Sequence, residues 1–576
     1  MEYRWQFYLL LSLLCIQTAF AQLTPFEKSN GKETATYQAI IQWYKTLDQK
    51  SNKVLLKTMG PTDAGYPLHL VLVSNDGQFD PNIWHKKNKV ILFVNNGIHP
   101  GEPDGIDASM LLVRDIVNKK IHLPNNVAIA FIPVYNIGGC LNRNQYSRVN
   151  QNGPVAYGFR GNAQNLDLNR DFTKADSKEA QTFSTIFHWL NPDIFIDNHV
   201  SDGADYQYTM TLLTTQYDKL GSILGSWLKA SFEPKLYQSM KAKNFEMTPY
   251  VNFETAGPEK GMEMFYDPPR YSSGYAALFQ TISFVPETHM LKPFADRVKA
   301  TYALMQTFIE QASVHATALL ETRKKAIEAN TTAQQFPLSW SVDSTRFDTI
   351  VFKGYQQAFK TSEATGLSRM YYDHNQPYTL PVKFYNSFSP IKFISKPIAY
   401  IIPQGWHQVI DRLALNKINM KQLEKDSSIE VEQYKIEQYQ TYNRAYEKHY
   451  KHYNISTTAS TTTIRFLKGD YIIPLNQSGN RFLMEMLEPQ GEDSYFAWNF
   501  FDAILQQKEG YSDYRWEDIA AEVLKDNPDI QKALDAKKAS DPKFAANASA
   551  QLDFIYKQSP YYEPVHLRYP VFRLVK

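Results

Sequence analysis

Two cysteines in 576 residues leave almost no room for covalent staples. Cys15 falls inside an N-terminal apolar run, and without that run only Cys140 remains, which excludes an intrachain disulfide. Charge of one sign is also lacking. The 61 Lys and Arg residues nearly balance 59 Asp and Glu, for a formal charge of +2. With no basic stripe, nucleic acid is excluded as an expected partner. Beyond the first residues no stretch is apolar enough to cross a bilayer. No internal repeat is evident.

The first residues read as a secretory leader over 1–21. Arg4 gives a positive start, Phe7 to Ile16 is apolar, and Ala19-Phe20-Ala21 offers a small-x-small cleavage site before Gln22. Leu14 is bulky where a lipidation site at Cys15 would need a small residue, so plain cleavage is expected, with no membrane span afterwards. Export without disulfides fits a bacterial periplasm or cell surface, and the expected location is periplasmic or extracellular.

The length calls for two or more domains. From residue 22 to about 330, strands and helices alternate. Helical patterns cover Glu33 to Lys50, Asp104 to Asn118, Asp176 to Leu190, Tyr217 to Ala230 and the long run Phe294 to Ala326. Buried strands are expected at Lys89 to Val94, Val127 to Val134, Asp193 to Asn198 and Thr281 to Pro286. This alternation predicts an α/β/α sandwich with a mixed sheet. A long loop, Asn136 to Gly161, is of the length that is often functional. From 331 to 576 the pattern changes to a mixed, β-rich accessory domain of unassigned role, with helices at His407 to Leu415, Phe496 to Gln506 and Pro528 to Lys538. His449 and His452 read there as a solvated helix face.

The chemistry concentrates in the first part. In His99-Pro100-Gly101-Glu102, histidine and glutamate stand three apart just after an apolar strand broken by Asn95-Asn96-Gly97. His199 follows a second apolar strand. Two imidazoles and a carboxylate make a three-ligand zinc set that leaves one position open, as catalytic zinc sites do. Open α/β sheets place their sites at such carboxyl strand ends. Glu287 closes another apolar strand, where burial would raise its pKa toward that of a general base. Asn165 to Arg170 lies between the ligand clusters.

The ordered set H-P-G-E at His99 to Glu102, D-L-N-R at Asp167 to Arg170, D-N-H at Asp197 to His199 and E-T-H at Glu287 to His289 resembles the zinc metallocarboxypeptidases of the carboxypeptidase A type. The resemblance covers roughly residues 35 to 320. It implies one zinc per chain on His99, Glu102 and His199, with Asp167 orienting His99. It implies Glu287 as the base, and Asn169 with Arg170 as the grip on a substrate's terminal carboxylate. A guanidinium fork suits a carboxylate. Arg160, nine residues before Asn169, matches an oxyanion-stabilising arginine, with Arg148 and Arg143 as alternatives. A mobile tyrosine is implied about twenty residues before Glu287: Tyr266 is nearest, Tyr271 and Tyr275 are rivals. Arg270 departs from an apolar specificity pocket; if it lines that pocket it implies an acidic side chain or a second carboxylate on the substrate, and a surface ion pair is the alternative.

The expected function is zinc-dependent hydrolysis of C-terminal residues from peptides outside the cytoplasm. A zinc amidase or deacylase acting on murein peptides or N-acyl amino acids is one alternative. A non-catalytic binding protein on the same fold is the other, although no ligand or base is missing.

Overall fold

The structure is a computed structural model that describes residues 22–251 and 258–576; the leader lies outside the described residues. Ten short strands lead to the site: β1 (Val54–Pro61), β2 (Pro67–Val73), β3 (Val90–Asn95), β4 (Val127–Ile132), β5 (Ile194–Asp197), β6 (His199–Ser201), β7 (Met210–Thr214), β8 (Met247–Pro249), β9 (Met262–Glu263) and β10 (Ile282–His289). All but β9 form one sheet in the order β1-β2-β4-β3-β5-β10-β7-β8, with β6 also against β10. Its centre, β4-β3-β5-β10, is parallel, while β1, β2 and β7 join antiparallel. Every residue of β3, β4 and β5 is buried, as a parallel sheet covered on both faces requires.

Alternation along the strands decides what packs where. Phe93 and Phe195 stack on Phe183 of the helix Lys178–Leu190. That helix starts where the Ser177 hydroxyl accepts from the Ala180 amide and stops at Asn191, which is left-handed at φ 45°. On the opposite face Phe284, in register with Ile196, meets Phe308 of the helix Phe294–Val314. The expected layered α/β architecture with a mixed sheet is therefore present.

Three expectations need correction. The helix expected over 294–326 is two helices, Phe294–Val314 and Ala316–Thr332, meeting at His315, whose ring packs on Phe232 and Trp227. The apolar period runs through this break and hides it. Residues 496–506 are turns with one 3-10 segment, Asp502–Leu505; Phe496, Trp498 and Phe501 are buried from an irregular chain, and the helix lies earlier at Asn480–Leu487. His449 and His452 are not on a helix face. They sit at the end of a long hairpin, Ser427–Thr441 with His452–Phe466.

The core does not stop at residue 330. Phe352, Val382, Phe384 and Phe388 belong to the same apolar cluster as β3 and β4, and β9 pairs with Ser368–Tyr385. A second cluster, built on Tyr400, Ile402, Phe482 and Phe501, supports a six-stranded sheet. In that sheet the strand Phe572–Leu574 lies between Ala399–Ile402 and the long hairpin. Helices between 513 and 558 enclose a third, small cluster around Trp516 and Tyr556.

Asp107, on the helix Asp104–Val117, is fully buried. Burial pushes its carboxyl up to about 8; the Thr34 hydroxyl opposes this and the charge of Asp104 adds to it. The folded state then holds this proton more tightly than the unfolded chain, whose ordinary value is 3.8, so the group costs stability as pH rises from about 4 to 8. Asp107→Asn removes the titration. Its melting temperature relative to wild type should rise between pH 5 and pH 8; an unchanged or narrowing gap contradicts the assignment.

Candidate metal centre and cleft

The carboxyl ends of β3 and β5, with β6 and β10 beside them, bring the sequence motifs together. Glu287 is the parallel register partner of His199. It stands inside β10 rather than at its end, because the strand runs on to His289. His99, Glu102 and His199 each offer a ligand atom within 4.8 Å of the others, and all three are buried.

The hydrogen bonds fix which imidazole nitrogen faces inward. Nε2 of His99 lies 3.0 Å from Asp167 Oδ1, and Nε2 of His199 lies 3.1 Å from Asp197 Oδ2. A carboxylate only accepts, so each Nε2 carries a proton and each Nδ1 is the nitrogen turned into the site. The Nδ1 atoms face Glu102, at 3.2 Å from Oε1 for His99 and 3.2 Å from Oε2 for His199. With neutral rings their lone pairs would repel that carboxylate, so the arrangement calls for a cation between them, either a metal ion or a proton on Nδ1. The donor set therefore fits a divalent metal with nitrogen and oxygen ligands, held by second carboxylates as metal histidines usually are.

Asp167 does more than orient His99. Its Oδ1 also accepts from the Asn169 amide at 2.9 Å, and its Oδ2 from Arg160 Nε at 3.0 Å. Asp197, quoted in the D-N-H run, carries no role in the sequence reading. Its position two before His199 was the available signal, since alternate residues of an extended chain share a face. Asn95 Nδ2 holds its other oxygen at 2.9 Å.

His99, Glu102 and His199 line a cavity of about 530 Å³, together with Arg148, Arg160, Asn169, Arg170, Tyr250, Asp267, Tyr271 and Glu287. Burial pushes Glu287 up to about 8; His199 opposes this and the charge of Glu102 adds to it. Arg160 reaches the metal group, with Nη1 3.4 Å from His99 Nδ1. Arg148 lies closer to the glutamate, donating to Glu102 Oε1 at 2.9 Å. Arg143 instead donates to the carbonyls of Thr34 and Ala35.

Arg170 is braced on three sides. Nη1 donates to its neighbour Asn169 O at 2.8 Å, Nε donates to Tyr446 Oη at 3.0 Å, and the guanidinium lies 4.3 Å from the Tyr271 ring centre. Among the described residues Nη2 has no hydrogen-bond partner, and the buried Asn169 Oδ1 has none either.

One expectation fails here, and the alternative left open for Arg270 is decided. Tyr266 does not line the cavity: its ring packs on Phe388 and under Lys219. Tyr271 and Tyr250 take the cleft positions. Arg270 does not line it either. It pairs with Asp493 at 2.6 Å and Glu492 at 3.1 Å, partners 223 and 222 residues away that no local motif announces. Asp267, unremarked in the sequence, does line it; burial pushes its carboxyl up to about 7, against the opposing charge of Lys219.

Residues 40–192 match the family model described as zinc carboxypeptidase. Among curated proteins, Carboxypeptidase 2 of Trichophyton rubrum is 21% identical over 428 residues, covering 71% of this chain and 73% of that protein. Carboxypeptidase 2 of Trichophyton tonsurans is 21% identical over 432 residues, with coverage of 71% and 73%. Among solved structures, a metallo-carboxypeptidase from Burkholderia cenocepacia has a TM-score of 0.36 at 15% identity, covering 49% of this chain and 70% of that one. One from Pseudomonas aeruginosa, in complex with (2-guanidinoethylmercapto)succinic acid, has a TM-score of 0.37 at 13% identity, covering 50% and 70%. The matched family is named for zinc, and the His99, Glu102 and His199 group could hold such an ion. The match contains His99, Glu102, Asp167, Asn169 and Arg170, whereas His199 and Glu287 lie beyond it and join the site through the sheet.

Metal analysis of the purified protein checks this centre. His199→Ala should lose most of the zinc. Asp167→Asn, which leaves His99 without its carboxylate, should weaken zinc binding about ten- to a hundredfold. Wild-type zinc affinity in both variants would exclude the centre.

Proposed function

We propose that this chain, which carries a zinc carboxypeptidase domain, removes the C-terminal residue from peptides outside the cytoplasm. The observation that carries the reading is the pairing, in one cavity, of the His99–Glu102–His199 group and Glu287 with an Arg170 guanidinium whose Nη2 points to no protein partner.

His99, Glu102 and His199 hold the zinc. When bound, it supplies Lewis acidity, polarising a carbonyl oxygen and making a water molecule a stronger acid. Everything else falls to side chains. Arg170 Nη2 and the Asn169 amide group bind the terminal carboxylate and set the distance from chain end to scissile bond. Glu287, buried and next to His199 in register, takes the proton from the attacking water and delivers it to the leaving amine. Arg160, with its guanidinium beside His99, stabilises negative charge as it develops on the carbonyl oxygen. Tyr271, against Arg170, walls the carboxylate side in place of Tyr266. Export rests on the leader-like residues 1–21. No described helix is long and apolar enough to cross a membrane.

Two measurements test the reading. Glu287→Gln should keep its zinc and its fold while turnover falls by about 10² to 10⁴. Wild type should cleave free-acid peptides far better than C-terminal amides, and Arg170→Met should lose about ten- to a hundredfold on the free acid and most of that discrimination. Equal cleavage of acid and amide by wild type would favour an amidase or endopeptidase.

A further inference from the structure

The hairpin Ser427–Thr441 with His452–Phe466 ends in a turn that reaches back to the catalytic loop across nearly half of the sequence. Tyr446 and His449 close the turn with paired backbone bonds, His449 amide to Tyr446 carbonyl at 3.1 Å and the reverse at 2.7 Å. The two residues between them, Glu447 and Lys448, are both left-handed, at φ 47° and 74°. That is the backbone of a type I′ turn, which strongly favours Asn-Gly because side chains crowd at positive φ. Glu-Lys is a poor choice for the turn itself. A strained turn held this way points to a role for its side chains.

Those side chains grip the D-L-N-R segment. Glu447 Oε2 accepts from the Asp167 backbone amide at 2.8 Å, and Tyr446 Oη accepts from Arg170 Nε at 3.0 Å. His449 Nε2 lies 2.6 Å from Asp176 Oδ2, at the far end of the same loop. The Tyr446 ring is itself fixed, stacked on the buried Trp498 with ring centres 5.9 Å apart. Tyr446 thus determines which edge of the Arg170 guanidinium is used up. With Nε on the tyrosine and Nη1 on Asn169 O, Nη2 is the edge left to point into the cavity.

We infer that Tyr446 and Glu447 of the accessory region are positioning residues for the substrate carboxylate: the tyrosine aims Arg170 and the glutamate fixes the loop that carries it. This rests on the proposed carboxypeptidase reading. The accessory region then completes the carboxylate end of the cleft.

The zinc-loaded, full-length protein tests this with three variants. Tyr446→Phe keeps the ring and its stacking but removes the acceptor; KM for a free-acid peptide should rise about tenfold, with kcat within about twofold and cleavage of the matching amide unchanged. Glu447→Asn combined with Lys448→Gly gives the turn its preferred residues, so the melting temperature should hold or rise while KM for the free acid rises; a merely structural turn would move both together in the favourable direction. Tyr453→Phe, the same change elsewhere on the hairpin, should leave KM alone. Free-acid peptide binding to the zinc-loaded Glu287→Gln protein, measured by calorimetry, should weaken about tenfold when Tyr446→Phe is added. Unchanged affinity there, wild-type KM in both turn variants, or an equal effect of Tyr453→Phe would overturn the inference. Failure of wild type to release C-terminal residues would instead overturn the proposed function, and the calorimetric arm keeps the two apart.

Discussion

Two imidazoles turned nose-in toward a single carboxylate, Glu102, are the arrangement on which the rest of the site depends. Asp167 and Asp197 each take a ring proton, so neither His99 nor His199 can rotate its Nδ1 away from Glu102 without breaking a buried bond to a charged acceptor. Asp197 is held in turn by Asn95 across the β3–β5 pair, and the two strands are in register at those residues. The position of the metal is therefore a property of strand register. A one-residue slip of β5 against β3 would turn Asp197 to the opposite face and release His199.

How far the sequence revealed all this depended on how far apart the cooperating residues lie. H-P-G-E and D-N-H were legible because ligand and strand end are adjacent in the chain, and because continuous apolar runs mark buried parallel strands. Glu287 was legible for the same reason, although its strand runs two residues past it, to His289. What stayed hidden is carried by pairings across hundreds of residues. Arg270 stayed open between pocket and ion pair because its partner Asp493 lies in another part of the chain. Tyr266 had the right spacing but the wrong direction, with Tyr271 and Tyr250 turned to the cleft instead. His449 and His452 looked like a helix face because a run of Tyr, Lys and His carries no strand alternation at a hairpin tip.

The boundary expected near residue 330 is a change in sequence texture rather than a gap in packing. Phe352 and Phe384 share a core with β3 and β4, while Arg412 and His449 reach Asp176 from beyond residue 400. The two regions are tied by buried apolar contacts and by charged pairs around one loop. That loop carries Asp167, Asn169 and Arg170, so its rigidity is supplied from both sides.

The strand Phe572–Leu574 gives this arrangement an order in time. Among the described residues it is the only strand linking the long hairpin to the rest of the six-stranded sheet. During synthesis the hairpin, and with it the Tyr446 turn, has no strand to dock against until residue 574 has emerged, although every ligand of the metal was made hundreds of residues earlier. Removing the strand Phe572–Leu574 would leave the His99, Glu102 and His199 group in the sequence and take away the strand that seats the hairpin. The seat of the Tyr446 turn is therefore made long after Asp167 and Arg170, the residues that the turn meets.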